Sequence, residues 1–269
     1  MKKISEYSKA NKAAWNEIMP LHQKINSKKL DEAFMEEGHI VFNDDLKKVI
    51  GKMNVGGKNV AHLCCNNGIE LMSFKNLGAN LCVGFDISDL AIDEAKNRVK
   101  KTGVDCQFYC TDVFEISEEH YGKFDIVFIS SGCLGWMPDL SLFWAKAQSM
   151  LASGGIVLVH EVHPFSEMLP SDWDIESHPL EIVEPYFKDE PYADTAGLDY
   201  VGKTNASTTS TQYWFVWTLS EIFTSLILND FSIELFEEYD TDISMSHNRN
   251  ERFNVAIPLS YTLIANSKL

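Results

Sequence analysis

From residue 59 onward the chain alternates short apolar runs with stretches of helical period, which restricts it to a sheet of mostly parallel strands joined by helical crossovers. The apolar runs fall at 59–63, 80–85, 106–110, 124–129 and 155–162. Between the second and third, Leu90, Ala91, Ala95 and Val99 share one helical face, with Ser88 or Asp89 placed to cap the helix start. Five such strands make a Rossmann-like, doubly wound α/β sheet. The alternation then breaks over 165–215, an insertion rich in aromatic residues: Trp173, Tyr186, Phe187, Tyr192, Tyr200, Tyr213, Trp214 and Phe215. It returns with a helix at 219–228 and apolar runs at 231–239 and 258–266, joined by polar residues, which predicts a C-terminal antiparallel hairpin at the sheet edge. Ahead of the sheet, 5–18 reads as an amphipathic helix with Tyr7, Ala14, Trp15 and Ile18 on one side, ended or kinked at Pro20, within a helical cap over 1–40. The expectation is one domain over 1–269.

Charge narrows the partners. A formal net charge of -16 disfavours nucleic acid, whose affinity for proteins comes mainly from Lys and Arg on phosphates. The N-terminus lacks a secretory apolar segment, and no stretch reaches the roughly 20 apolar residues of a membrane span. The six cysteines sit mostly inside apolar runs with no paired ligand spacing, which predicts core packing in a reducing compartment and no metal site. A soluble, cytoplasmic protein is expected; oligomeric state is not readable.

The ends of the strands carry the chemistry. In an open α/β sheet, ligands bind beyond the carboxyl ends of the strands, where the strand order reverses. The first run leads into Cys64-Cys65-Asn66-Asn67-Gly68, where Gly and Asn suit a tight turn that approaches a ligand closely. The second ends at Asp86, followed by Ile87, where a carboxylate can hold both hydroxyls of a nucleoside ribose. The third ends at Asp112-Val113, another acid at a strand tip, able to accept from an adenine amino group. A single tip acid is as readily a helix N-cap; two in register after a tight turn favour a nucleoside site.

These residues resemble the class I S-adenosylmethionine-dependent methyltransferases, from about residue 59 to the C-terminus. The family's first motif, an acid and an apolar residue before Gly-x-Gly-x-Gly, aligns onto His62, Leu63, Cys64, Asn66 and Gly68, and of its glycines only Gly68 is present. Asp86 with Ile87 matches the ribose-binding position, and Asp112 with Val113 the adenine-site pair. Ser130-Ser131-Gly132-Cys133-Leu134-Gly135-Trp136 after the fourth run and Glu161-Val162-His163-Pro164 after the fifth look like patterns of bacterial small-molecule methyltransferases.

The resemblance implies S-adenosyl-L-methionine as cofactor and methyl transfer to a small molecule. The positive sulfur would sit near Cys64, Gly68 and Ser130, eased by an aromatic face from Trp15, Tyr7 or Trp136. The insertion and the N-terminal helix would cover an acceptor pocket suited to a planar or partly apolar substrate. Glu161 and His163 are the candidate bases for an acceptor proton, with His22 a weaker one. Two other readings stand beside this one. The lost glycines are compatible with a non-catalytic binder of S-adenosylmethionine or S-adenosylhomocysteine. An NAD-dependent oxidoreductase shares the fold and the acid at the second tip, but Cys64 stands where its first glycine belongs.

Overall fold

In the computed structural model, every residue is described except Met1, Trp173, Ile175, Gly197, Asp199, Tyr200, 202–206 and 248–254. The five expected parallel strands form as β1 (Val60–Leu63), β2 (Cys82–Asp86), β3 (Gln107–Cys110), β4 (Phe124–Ile129) and β5 (Leu151–Val162). The excursion after β5 contributes a small antiparallel pair, β6 (Tyr192–Asp194) with β7 (Gln212–Trp214). The C-terminal hairpin is β8 (Phe231–Tyr239) and β9 (Ser260–Ser267). Order across the main sheet is β3-β2-β1-β4-β5-β9-β8, with β9 antiparallel to both neighbours. The chain winds outward from β1 to β3, then returns to place β4 on the other side of β1, so the switch in strand order lies between β1 and β4.

The helices are α1 (Ile4–Phe34), α2 (Asp44–Met53), α3 (Ile69–Asn76), α4 (Asp89–Thr102), α5 (Leu140–Met150) and α6 (Leu219–Leu228). One sheet face buries Leu63, Val127, Ile129, Val159 and Leu263 with Phe143, Trp144 and Leu226 of α5 and α6. The other buries Val60, Phe108, Phe128 and Leu158 with Leu46, Leu71 and Ile92 of α2, α3 and α4. Ser88 caps α4, its side chain accepting from the Ala91 amide at 3.2 Å.

Two expectations are corrected. The first helix does not end at Pro20 but runs on to Phe34. Pro20 removes one backbone donor and costs about 3 kcal/mol in a helix interior. It stands on the exposed side, while Met19 and His22 on either flank, and Phe34 at the helix end, are buried, so tertiary packing carries the helix past it. The fifth strand begins at Leu151 rather than 155, because Leu151 pairs with Phe124 before a register shift that resumes at Ile156 opposite Ile126. Residues 152–155 are thus an irregularity inside the ladder.

Candidate functional site

The turn from β1 into α3 takes left-handed backbone at every second residue: Cys64 at φ 54°, Asn66 at 47° and Gly68 at 77°. These are the three positions where the family pattern has glycine. Asn tolerates the region best among side-chain residues, and Cys64 there costs about 1–2 kcal/mol. The turn keeps a glycine-like path although two glycines are gone. Gly68 is needed for a second reason: a Cβ there would stand 2.4 Å from Phe108 Cζ.

Tip register puts the neighbouring residues beside this turn. Leu63 pairs with Phe85 on one side and Ile129 on the other, so Cys64, Asp86 and Ser130 emerge together. Asp86 Oδ2 accepts from the Asn66 amide and Oδ1 from the Ser88 amide, each at 2.8 Å. Burial raises its pKa, opposed by those amides. Each carboxylate oxygen has a second lone pair. Asp112 caps the short turn that follows β3, accepting from the Phe114 amide at 3.1 Å, with Val113 buried and Ile87 half-buried nearby along the same edge.

At the switch point itself lies a polar chain. The Ser130 hydroxyl donates to Glu70 Oε2 at 2.8 Å and lies 3.0 Å from His62 Nε2. With the Ser130 proton given to Glu70, His62 Nε2 is the donor, and Nδ1 is a buried acceptor with no protein partner among the described residues. Burial holds His62 down to about 3 and pushes Glu70 up to about 7, the latter opposed by Ser130. The Glu70 side chain keeps 31% exposure, so it is reachable from solvent beside the turn. Sequence reasoning left Glu70 unassigned although it follows Gly68 by two residues.

Glu161 and His163, the expected bases, are both engaged. Glu161 Oε1 accepts from the Gly132 and Val162 amides, and Oε2 from the Leu134 amide at 3.1 Å. Burial nonetheless pushes it up to about 7. Its carboxylate fastens the β4–α5 turn to the end of β5. His163 Nδ1 accepts from the Phe165 amide at 3.0 Å, and Nε2 stands 3.0 Å from Glu238 Oε1, close enough for an ion pair though poorly aligned for a hydrogen bond. Burial lowers its pKa, opposed by Glu238. His22 Nε2 meets the Leu198 carbonyl oxygen at 2.9 Å.

The first helix and the excursion close over the strand tips. Asn11 reads the backbone of Tyr213 at both ends, donating to its oxygen at 3.1 Å and accepting from its nitrogen at 2.7 Å. Trp15 packs edge-on against Trp136, and Trp136 against Trp214, with centroids 5.6 Å and 4.8 Å apart. Tyr7 packs on Tyr213 and Phe215. Gly135 permits this, since a Cβ would stand 2.4 Å from Trp214 ring carbons. Trp214 and Phe215 line a cavity under β7; Phe187 is 80% exposed, Tyr186 accepts from the Leu219 amide, and Tyr192 donates to Glu184. Trp173 and Tyr200 lie outside the described residues.

A buried ionic cluster, missed from sequence, ties α1 to the turn. Arg98 is fully buried on α4; it donates to Asp31 of α1 at 3.0 Å, to Glu94, and to the Asn67 carbonyl at 2.8 Å. No periodicity distinguishes this arginine from a solvated one.

Residues 60–155 match the family model of a methyltransferase domain. Ribosomal protein L11 methyltransferase of Thermosipho africanus is 31% identical over 101 residues, 36% of this chain and 38% of that one. Ubiquinone biosynthesis O-methyltransferase of Aromatoleum aromaticum is 25% identical over 163 residues, 61% and 62% of the two chains. The chain spans between 27% and 62% of the length of the curated relatives it matches. Among solved structures, magnesium protoporphyrin IX methyltransferase of Synechocystis, with bound S-adenosylhomocysteine, aligns over 97% of this chain and 99% of that one at a TM-score of 0.57 and 14% identity. Residues 60–155 thus match a methyltransferase domain, and the chain shares its fold with that solved structure. No helix among the described residues is long and apolar enough to cross a membrane.

Proposed function

We propose that this chain, whose residues 60–155 match a methyltransferase domain, binds S-adenosylmethionine at the tips of β1, β2 and β4 and methylates a small molecule. One observation carries the reading: the left-handed turn through Cys64, Asn66 and Gly68 is bonded to Asp86, so a close-approach loop and a sugar-binding acid form one unit. That geometry counts against a site disabled by its missing glycines.

The residues present fit an adenosyl sulfonium ligand. Asp86 keeps lone pairs for the ribose hydroxyls, and Asp112 with Val113 and Ile87 offers an acid flanked by apolar walls for adenine. The amino-acid end of such a ligand carries an ammonium beside its carboxylate, and Glu70, which accepts from Ser130, is an acceptor next to the turn for the ammonium. Bound there, the cofactor supplies an electrophilic methyl group. The chain's own part is positioning and exclusion of water. Trp15 of α1 packs on Trp136 of the β4–α5 turn, and Glu161 sets that turn through Gly132 and Leu134 rather than moving a proton.

We take the whole chain as one methyltransferase domain, with 1–40 as the cap and 165–215 as the cover over the acceptor. A small-molecule acceptor is favoured because the cavity beneath Trp214 and Phe215 is small, about 30 Å3, and lined by residues of β5, β7, α6 and β9. Mass-spectrometric detection of S-adenosylhomocysteine release against a panel of small acceptors tests the activity. Release with one acceptor class supports it; turnover only with a folded protein substrate would contradict the small-molecule part.

A further inference from the structure

The cavity under β7 has a chemical character that the methyl-transfer reading alone does not assign. It measures about 30 Å3 and is lined by, among others, Glu161, Glu167, Trp214, Phe215, Trp217 and Tyr261. That is room for a head group about the size of one or two waters. No lysine or arginine lines it.

Its two acids differ. Glu161 is occupied by three backbone amides. Glu167 is half-buried, and desolvation pushes its carboxyl up, opposed by the charge of His247 and by the Trp214 indole. Tyr261 is fully buried, and its hydroxyl has no protein partner among the described residues. Glu161 and Tyr186 stand in its field, and burial keeps the phenol protonated. A half-buried carboxylate at the wall of an apolar cavity, with no lysine or arginine lining it, favours a cation beside it. Trp214, Phe215 and Trp217 line the same cavity, and aromatic rings attract a cation as well. A carboxylate acceptor would meet like charge, and an alcohol would leave Glu167 uncompensated.

We propose that the acceptor is an amine, seated as its ammonium form beside Glu167 with the Tyr261 hydroxyl as a further partner, and methylated on nitrogen. The inference rests on the methyl-transfer reading. Glu167 takes one proton from the ammonium, which frees the nitrogen lone pair. That pair forms the new N–C bond as the S–C bond of the methyl sulfonium breaks, and the sulfur keeps the bonding pair as a neutral thioether. The product leaves as a methylammonium, and Glu167 returns its proton to solvent.

The test is titration of the intact protein, alone and with S-adenosylhomocysteine, by tryptophan fluorescence, using propyl, benzyl and indolylethyl series each as amine, alcohol and carboxylate. In at least one series the amine should bind about tenfold tighter than its two counterparts, a difference of about 1.4 kcal/mol. Glu167→Gln should remove that preference, and Tyr261→Phe, which keeps the ring in the core, should weaken the amine about threefold. Absence of amine preference in every series, including absence of binding, overturns the proposal, as does a preference that survives Glu167→Gln. Titration with S-adenosylhomocysteine on the same sample separates the two ideas. Amine preference without adenosyl binding sinks the cofactor reading and with it the methylation step, leaving the amine site standing, and adenosyl binding without amine preference sinks this proposal alone.

Discussion

The Asn66 amide donates to Asp86 Oδ2 at 2.8 Å, which ties the tip of β2 to the turn that follows β1. One carboxylate therefore shapes the loop and remains available to a ligand on its outer lone pairs. Asp86→Ala should weaken S-adenosylhomocysteine binding at least about a hundredfold, since two charged hydrogen bonds are worth about 1.5–3 kcal/mol each. The loss of the Asn66 and Ser88 acceptor should also lower the melting temperature. Calorimetric titration with a thermal melt reads both, and unchanged affinity would remove Asp86 from the site.

Gly68 and Cys64 should respond in opposite directions. Gly68→Ala places a Cβ 2.4 Å from Phe108 Cζ at a left-handed φ of 77°, and should destabilise by about 1–3 kcal/mol. Cys64→Gly relieves a left-handed side-chain residue and should leave stability equal or raised by up to about 1 kcal/mol, with cofactor affinity retained. Denaturant unfolding of the two variants checks the contrast.

Glu70 gives a pH signature. An acid whose pKa is raised on folding keeps its proton longer in the folded chain, so its contribution to stability falls as pH rises from its ordinary 4.5 through about 7. Glu161, also near 7, adds to this fall. His62 and His160, held down to about 3 and about 4, act oppositely, their share growing as pH rises toward 6.5. The difference between variant and parent isolates Glu70. Glu70→Gln should gain melting temperature relative to the parent between pH 5 and pH 7.5, and a flat difference would refute the assignment.

Arg98 is a positioning residue. Arg98→Ala strands Glu94, while Asp31 keeps Lys101 at 2.6 Å, and should cost about 3 kcal/mol, the low end of what breaking a buried ion pair costs. Arg98→Lys cannot supply the three directed donors and should recover little. Arg98→Lys should also weaken adenosyl binding through the Asn67 carbonyl, under conditions where the variant is fully folded by circular dichroism.

Much of this was legible from sequence where a residue's role is local. Apolar runs placed the strands, and strand ends placed Asp86, Gly68 and Ser130 at one edge, because a parallel sheet aligns its tips. Asp112 fell where expected, yet its side chain is spent partly as a cap on the turn after β3. What could not be read is what packing over long separations creates. Pro20 signals a helix end, but the burial of Met19 and Phe34 overrides it. Glu161 and His163 look like free bases until Gly132 and Glu238 are seen beside them. The Glu167–Tyr261 cavity joins residues almost a hundred positions apart, through a strap whose aromatics carry no period.

The most direct measurement is isothermal titration of the purified chain with S-adenosylmethionine and S-adenosylhomocysteine, with NAD as the control. Saturable micromolar binding of both adenosyl ligands and none of NAD is the predicted result. Binding of NAD alone, or of none of the three, would contradict the account.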